Sequence, residues 1–244
     1  MSMPTALLLS CLAAWAAMAS PAAAQPAPIG VSEDAAIGGH PGTLRVGGDG
    51  VSFDARDTTR SRHWADDEVR QLRVESSRRI VVETYQSRGW RGLGHSRTYE
   101  YRTTAPVTPG WVAYVLSRTP RSVVTAVVPP RTAPAQFTVD VHHEGTDTKG
   151  RLAVYADGLA FETPRDGFAR FWRFADLDAV LLQDRYRLFV AAYEGPREHV
   201  RPFLFTLKGD LPPGFYDHLW RQINGRSGAL GDGTVPADSS PTNP

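Results

Sequence analysis

Gly42-Thr43-Leu44-Arg45-Val46-Gly47-Gly48-Asp49-Gly50-Val51-Ser52-Phe53 returns 108 residues later as Gly150-Arg151-Leu152-Ala153-Val154-Tyr155-Ala156-Asp157-Gly158-Leu159-Ala160-Phe161. Each copy sets two short runs of alternating apolar residues around an Asp-Gly turn. Glycine tolerates the backbone conformation that a tight turn demands, so each copy reads as a β-hairpin. The match runs without a gap from residues 42–85 onto 150–193, with 11 identities in 44 positions. Arg62, Trp64, Arg79, Val82 and Tyr85 recur as Arg170, Trp172, Arg187, Val190 and Tyr193. An internal repeat of this length implies two units of one architecture.

Further strands are expected at 69–74, 79–85 and 98–102 in the first copy. In the second they are expected at 171–174, 178–182, 186–193 and 203–207, with 137–141 as an added first strand. Polar or glycine-bearing turns separate them, the habit of a small antiparallel barrel or sandwich. Each copy then ends in one helix. Thr108 is placed to cap the first and Pro109 fits its first position, where a missing N–H costs nothing. Pro212-Pro213 opens the second helix and Asn224-Gly225 closes it. At an offset of 104, Trp111, Val112, Val115 and Leu116 fall on Phe215, Tyr216, Leu219 and Trp220. The i, i+1, i+4, i+5 spacing predicts one apolar stripe packed against the strands.

This pattern resembles the pleckstrin-homology-like (PH-like) fold, and is closest to bacterial PH-like and GRAM-like modules. Three features carry the likeness: the Gly-x-Leu-x-Val…Asp-Gly-Leu/Val-x-Phe opening, the Trp64/Trp172 strand, and the helix led by Pro-Gly-aromatic. The resemblance implies a mainly β protein of two PH-like antiparallel barrels, each closed by one C-terminal α-helix. The boundaries read as a signal peptide at 1–24, a flexible lead-in at 25–41, a first module at 42–120 and a linker at 121–136. A second module follows at 137–225, then a disordered tail at 226–244. Phosphoinositide-binding PH domains use a basic loop between their first two strands. The corresponding turns here are short and each carries an Asp, so that activity is not implied.

Residues 6–18 form a largely apolar run, and Ala22-Ala23-Ala24 supplies small residues before Gln25. Export to the periplasm or outside the cell is expected, with cleavage near Ala24. Cys11, the single cysteine, lies in that segment, and a lipoprotein anchor there is disfavoured by the short apolar run before it. The mature chain then has no thiol for a disulfide, zinc site or nucleophile. Its 27 basic and 26 acidic residues leave a formal charge of +1, with none of the basic excess of a nucleic-acid binder.

No catalytic signature emerges, and an enzyme is not expected. Gly47-Gly48-Asp49-Gly50 leads into a strand, whereas a phosphate cradle needs a helix N-terminus behind the glycines. His142-His143-Glu144 alternates faces along a strand, so it offers at most two ligands on one side, and no metal site is assigned. No cofactor is expected either. Glu68 recurs as Asp176, which points to a structural role at a strand entry. Arg62/Arg170 and Arg79/Arg187 are expected to pair with nearby acids. The copies differ most in the loop 86–97, where four extra residues bring Arg88, Trp90, Arg91, His95 and Arg97 together. Those five are the candidate binding residues, since Trp and Arg dominate binding energies once desolvated. The expected function is binding or scaffolding with a protein or peptide partner. The alternative is peripheral association with an anionic membrane or the cell envelope through the same loop.

Overall fold

The computed structural model describes residues 27–34, 38–85, 97–130, 135–143, 146–194, 200–211 and 213–225, with backbone alone for 135–143, 146 and 147. The first half holds β1 (Ile29–Glu33), β2 (His40–Val46), β3 (Gly50–Ala55), β4 (Arg62–Ala65), β5 (Val69–Ser76), β6 (Arg79–Thr84), β7 (Arg97–Thr103) and α1 (Pro109–Arg118). Then come β8 (Ser122–Thr125), β9 (Ala135–His143), β10 (Thr146–Val154), β11 (Gly158–Glu162), β12 (Arg170–Arg173), β13 (Leu177–Asp184), β14 (Arg187–Tyr193), β15 (Val200–Leu207) and α2 (Phe215–Asn224). The protein is mainly β, with two α-helices among the described residues.

Strand order in the first half is β4-β3-β2-β1-β7-β6-β5, and in the second β12-β11-β10-β9-β15-β14-β13. Register corresponds as well as order. Val31 of β1 faces Gly42 on one side and Thr103 on the other, and Val139 of β9 faces Gly150 and Leu207. The β5–β6 ladder slips at Val69/Gln71 and Val74/Ser76, the β13–β14 ladder at Leu177/Ala179 and Leu182/Asp184. Gly42 and Gly150 have a shared steric cause. A Cβ at either would collide with the facing carbonyl of Asp54 or Glu162 and with the ring of Phe53 or Phe161.

This topology differs from the expected closed barrels. Among the described residues the sheets do not close into barrels, because β4 does not pair with β5, nor β12 with β13. Instead β8 lies parallel to β5 (Leu72 opposite Val123) and antiparallel to β12 (Trp172 opposite Val124). It therefore joins both sets into one sheet, of 15 strands among the described residues. The stretch at 121–136, read as a linker, supplies this strand, and β1 lies within the stretch at 25–41, read as a lead-in.

Burial follows alternation. Leu44, Phe53, Trp64, Leu72, Ile80, Val82 and Tyr101 form one core under α1. Leu152, Phe161, Trp172, Leu188, Val190 and Phe205 form another under α2. Burying side chains of this size stabilises by about 1.5–3 kcal/mol each. Thr108 caps α1 by accepting a hydrogen bond from the Trp111 amide at 3.2 Å, and Trp111, Val112, Val115 and Leu116 are all buried. α2 follows Gly214, whose φ of 76° is left-handed, and buries only Phe215 and Leu219 fully. Trp220, expected in the packed stripe, is 49% exposed.

Candidate functional site

Of the five loop residues singled out in the sequence, Arg88, Trp90, Arg91 and His95 lie outside the described residues. Arg97 opens β7, exposed, with its guanidinium 4.9 Å from the centre of the Tyr99 ring. The side chains of His142, His143 and Glu144 are likewise undescribed. The recurring arginines all meet acids: Arg62 with Glu33 at 2.8 Å, Arg170 with Glu194 at 2.8 Å, Arg79 with Glu100 at 2.6 Å and Arg187 with Asp184 at 2.6 Å. Glu68 accepts the Ala65 amide at 3.0 Å, while its counterpart Asp176 takes the Arg173 guanidinium at 2.8 Å.

The surfaces that distinguish the halves are in the strands. At the junction, Gln71 of β5 donates to the carbonyl of Tyr193 at 2.5 Å and to the Ser122 hydroxyl at 3.0 Å. Arg173 donates to the carbonyl of Thr119 at the C-terminus of α1 (2.8 Å), where positive charge complements the helix dipole. Glu83, fully buried, accepts from Arg70 at 2.9 Å and Arg73 at 3.1 Å. Glu194 accepts from Arg170, from Arg201 at 3.2 Å and from the Trp172 indole at 3.3 Å. A cavity of about 330 Å³ lies between these groups, lined by Arg73, Glu75, Arg170, Glu194 and Arg201. Each of its three arginines is paired with a carboxylate, Arg170 and Arg201 sharing Glu194, so the cleft reads as a polar clasp between the halves.

The apolar side of the junction is made by positions at which the two halves differ. Ala153, Tyr155, Ala160 and Phe171 point away from the second core and join the first. Their first-half counterparts at the same offset are Arg45, Gly47, Ser52 and His63, a polar face open to water. There the Ser52 hydroxyl lies 2.9 Å from His63 Nδ1. A Ser–His contact invites a nucleophile–base reading, but catalysis also needs a group orienting the imidazole and donors for an oxyanion. Among the described residues no carboxylate bonds the His63 ring, and both residues sit in regular β3–β4 pairing. It is a cross-strand polar pair.

At the opposite end the pattern inverts. The first half's β5–β6 face carries Arg73 opposite Val81 and Gln71 opposite Glu83, all buried. The second half's β13–β14 face carries Leu181 opposite Phe189 and Ala179 opposite Ala191. Leu181 is 51% exposed. Leu116 of α1 is buried in a cleft shared with Asp157 and Arg173, whereas its counterpart Trp220 faces water. Five of the six large apolar side chains exposed among the described residues belong to the second half, so its surface is the apolar one. Beside this face, the Tyr193 hydroxyl donates to Asp178 at 2.6 Å, and that bond raises the phenol's pKa above its ordinary value. The sequence did hold the signal: Arg73 against Leu181 and Glu83 against Ala191 differ in kind within otherwise matched strands.

No protein-family model matches the chain, and no curated protein matches it. Among solved structures it is similar to the Spt16D Pob3N heterodimer, at 11% identity over 70% of this chain and 90% of that one, with a TM-score of 0.26. It is also similar to the Bacillus subtilis inhibitor of motility MotI/DgrA, at 10% identity over 83% and 96% of the two chains, with a TM-score of 0.16. Likeness at this distance carries no argument about function. Among the described residues, no helix is long and apolar enough to cross a membrane, and no three His, Cys, Asp or Glu side chains cluster as metal ligands.

Proposed function

We propose that this chain is an exported, non-enzymatic binding protein built of two PH-like modules in tandem, whose partner is a protein or peptide. The shared strand order, with a C-terminal helix in each half, supports the PH-like reading. The leader-like residues 1–24 support export. One observation carries the binding function: the second half leaves exposed, in apolar form, the surface that in the first half is covered. Exposed apolar patches of this kind mark interaction sites.

The test is affinity capture from the native envelope and medium with the mature chain as bait, beside a Leu181→Lys/Trp220→Ser variant and an Arg45→Ala control. A stoichiometric polypeptide retained by wild type and Arg45→Ala but lost by the double variant is the expected result. Wild-type bait that captures no polypeptide sinks the reading. N-terminal sequencing of secreted material is expected to begin at Gln25, and full-length protein kept in the cytoplasm refutes export.

A further inference from the structure

The outer edge of β13 is unpaired among the described residues, and it ends the sheet. Its counterpart β5 is not an edge: residues Gln71–Val74 hold Ser122–Thr125 of β8 in parallel. At the 108-residue offset, the equivalent receiving stretch is Ala179–Leu182. Eight residues long, β13 has the same two register slips as β5 and presents a row of backbone donors and acceptors on its outer edge. Leu181 stands on its outer face. Tyr216 of α2 reaches it, the phenol donating to the Val180 carbonyl at 3.4 Å, and Trp220 lies one helical turn further along the same side.

Resting on the reading of the chain as a polypeptide-binding protein, we propose that this edge takes an extended segment of a partner polypeptide as a sixteenth strand, parallel to β13. The segment carries β-branched residues against Ala179–Leu182 and a basic residue one position earlier.

Three observations select this occupant. First, β8 on β5 shows within the same sheet what such an edge accepts: Ser-Val-Val-Thr, three of its four residues β-branched, in parallel register. The proposed strand repeats that pairing on the equivalent strand at the far end of the sheet. Second, charge selects the flank. In β5 the residue before the receiving stretch is Arg70, which is committed to Glu83. In β13 it is Asp178, an exposed carboxylate whose partner is the neutral Tyr193 phenol rather than a cation, and a parallel strand in the β8 register sets its preceding residue opposite. A Lys or Arg there is complementary. Third, charge disfavours a second copy of this chain. Two-fold pairing of β13 centred on Leu181 sets Asp178 against Asp184 of the other copy, and like charges directly opposed destabilise a ladder. The chain's own continuation after α2 is also a poor candidate by composition. At the helix offset, Ser122–Thr125 correspond to Arg226-Ser227-Gly228-Ala229, with no β-branched residue. Main-chain bonds then supply affinity, and the side chains of Asp178 and Leu181 supply selectivity.

The probe is a fluorescein-labelled peptide copying residues 121–128, Arg-Ser-Val-Val-Thr-Ala-Val-Val, titrated into the mature full-length chain by fluorescence anisotropy. Saturable binding is expected, with slowed amide hydrogen exchange confined to residues 177–184. Leu181→Lys is expected to weaken it at least about tenfold, a loss of about 1.4 kcal/mol. N-methylation of alternate peptide amides, which spares the side chains but removes backbone donors, should abolish it. Replacing the leading Arg by Glu should weaken it, and Tyr85→Ser, on the first half, should leave it unchanged. Indifference to N-methylation refutes strand addition, and protection appearing on 69–76 refutes the site. Two alternative occupants also overturn the proposal. One is a dimer in sedimentation that Leu181→Lys dissociates, and the other is a tenfold gain in peptide affinity on deleting 226–244. A native partner captured by wild type and equally by Leu181→Lys defeats this inference while leaving the binding function standing. Capture of no polypeptide defeats the function itself.

Discussion

Glu83 offers the sharpest test of the buried charges on the β5–β6 face. Its side chain is wholly buried, and its carboxylate accepts one bond each from Arg70 and Arg73, whose side chains are 13% and 10% exposed. Glu83→Gln preserves shape and removes the charge. Breaking a buried ion pair by neutralising one partner costs about 3–5 kcal/mol, because the other charge stays desolvated. Arg73 keeps Glu75 at 3.3 Å, which lowers the expectation to about 2–3 kcal/mol. The second half shows how the site does without charge: Arg73 and Glu83 become Leu181 and Ala191. Arg73→Leu combined with Glu83→Ala is therefore expected to cost less than the sum of the single changes by about 2 kcal/mol. The assay is urea denaturation followed by tryptophan fluorescence and by circular dichroism, with coincident curves required before free energies are compared. A loss below about 0.5 kcal/mol for Glu83→Gln, or additivity of the pair within about 0.5 kcal/mol, refutes the reasoning.

Gln71→Leu removes the side chain bonding both Tyr193 and Ser122, and should destabilise by about 1–3 kcal/mol with faster hydrogen exchange in β8 first, read by mass spectrometry. Thr108→Ala deletes the cap of α1 and is expected to cost about 1 kcal/mol in thermal unfolding. The Tyr193 phenol, raised by its bond to Asp178, should ionise above the ordinary tyrosine value of about 10. A raised folded-state pKa means the bond is present below pH about 10 and lost as pH climbs past it. In a difference titration at alkaline pH, Asp178→Asn should bring one tyrosine back down, and an unchanged curve contradicts the assignment. Tyr216→Phe frees the Val180 carbonyl and should tighten the strand-peptide probe modestly, whereas weaker binding places the strand elsewhere.

The hairpins were legible because Asp-Gly turns and period-2 alternation are local signals. Strand starts at Gly50, Arg62, Val69 and Arg79 recur at Gly158, Arg170, Leu177 and Arg187. The α1 cap was equally local. β1 was not legible: Ile29-Gly30-Val31-Ser32-Glu33 is short and glycine-bearing, and it becomes a strand through partners as distant as Thr103. The role of β8 was half visible, since Ser122–Val128 reads as β-prone, but nothing local says that it will join two sheets. That choice depends on β5 and β12 both presenting a free edge, and it is also why neither half closes on itself. Trp220 shows the limit of stripe counting. Helical spacing brings it beside Tyr216, yet the packing that buries Leu116 comes from the second half, and α2 has no described neighbour of that kind. The loop 86–97 attracted notice as the longest difference between the copies. The informative differences are single substitutions inside matched strands, where length gives no signal.

The two-sided bonding of β8 also sets a timetable. Its β5 edge is complete once α1 has been made, but its other edge waits for β12, which begins about 45 residues later. At synthesis rates of about 5–20 residues per second, the growing chain spends roughly 2–9 seconds with that edge unpaired. For a chain threaded outward from its N-terminus, the delay is set by the translocation rate instead. The first half thus emerges adhesive by construction, and any chaperone serving this protein would have its longest opportunity during that interval.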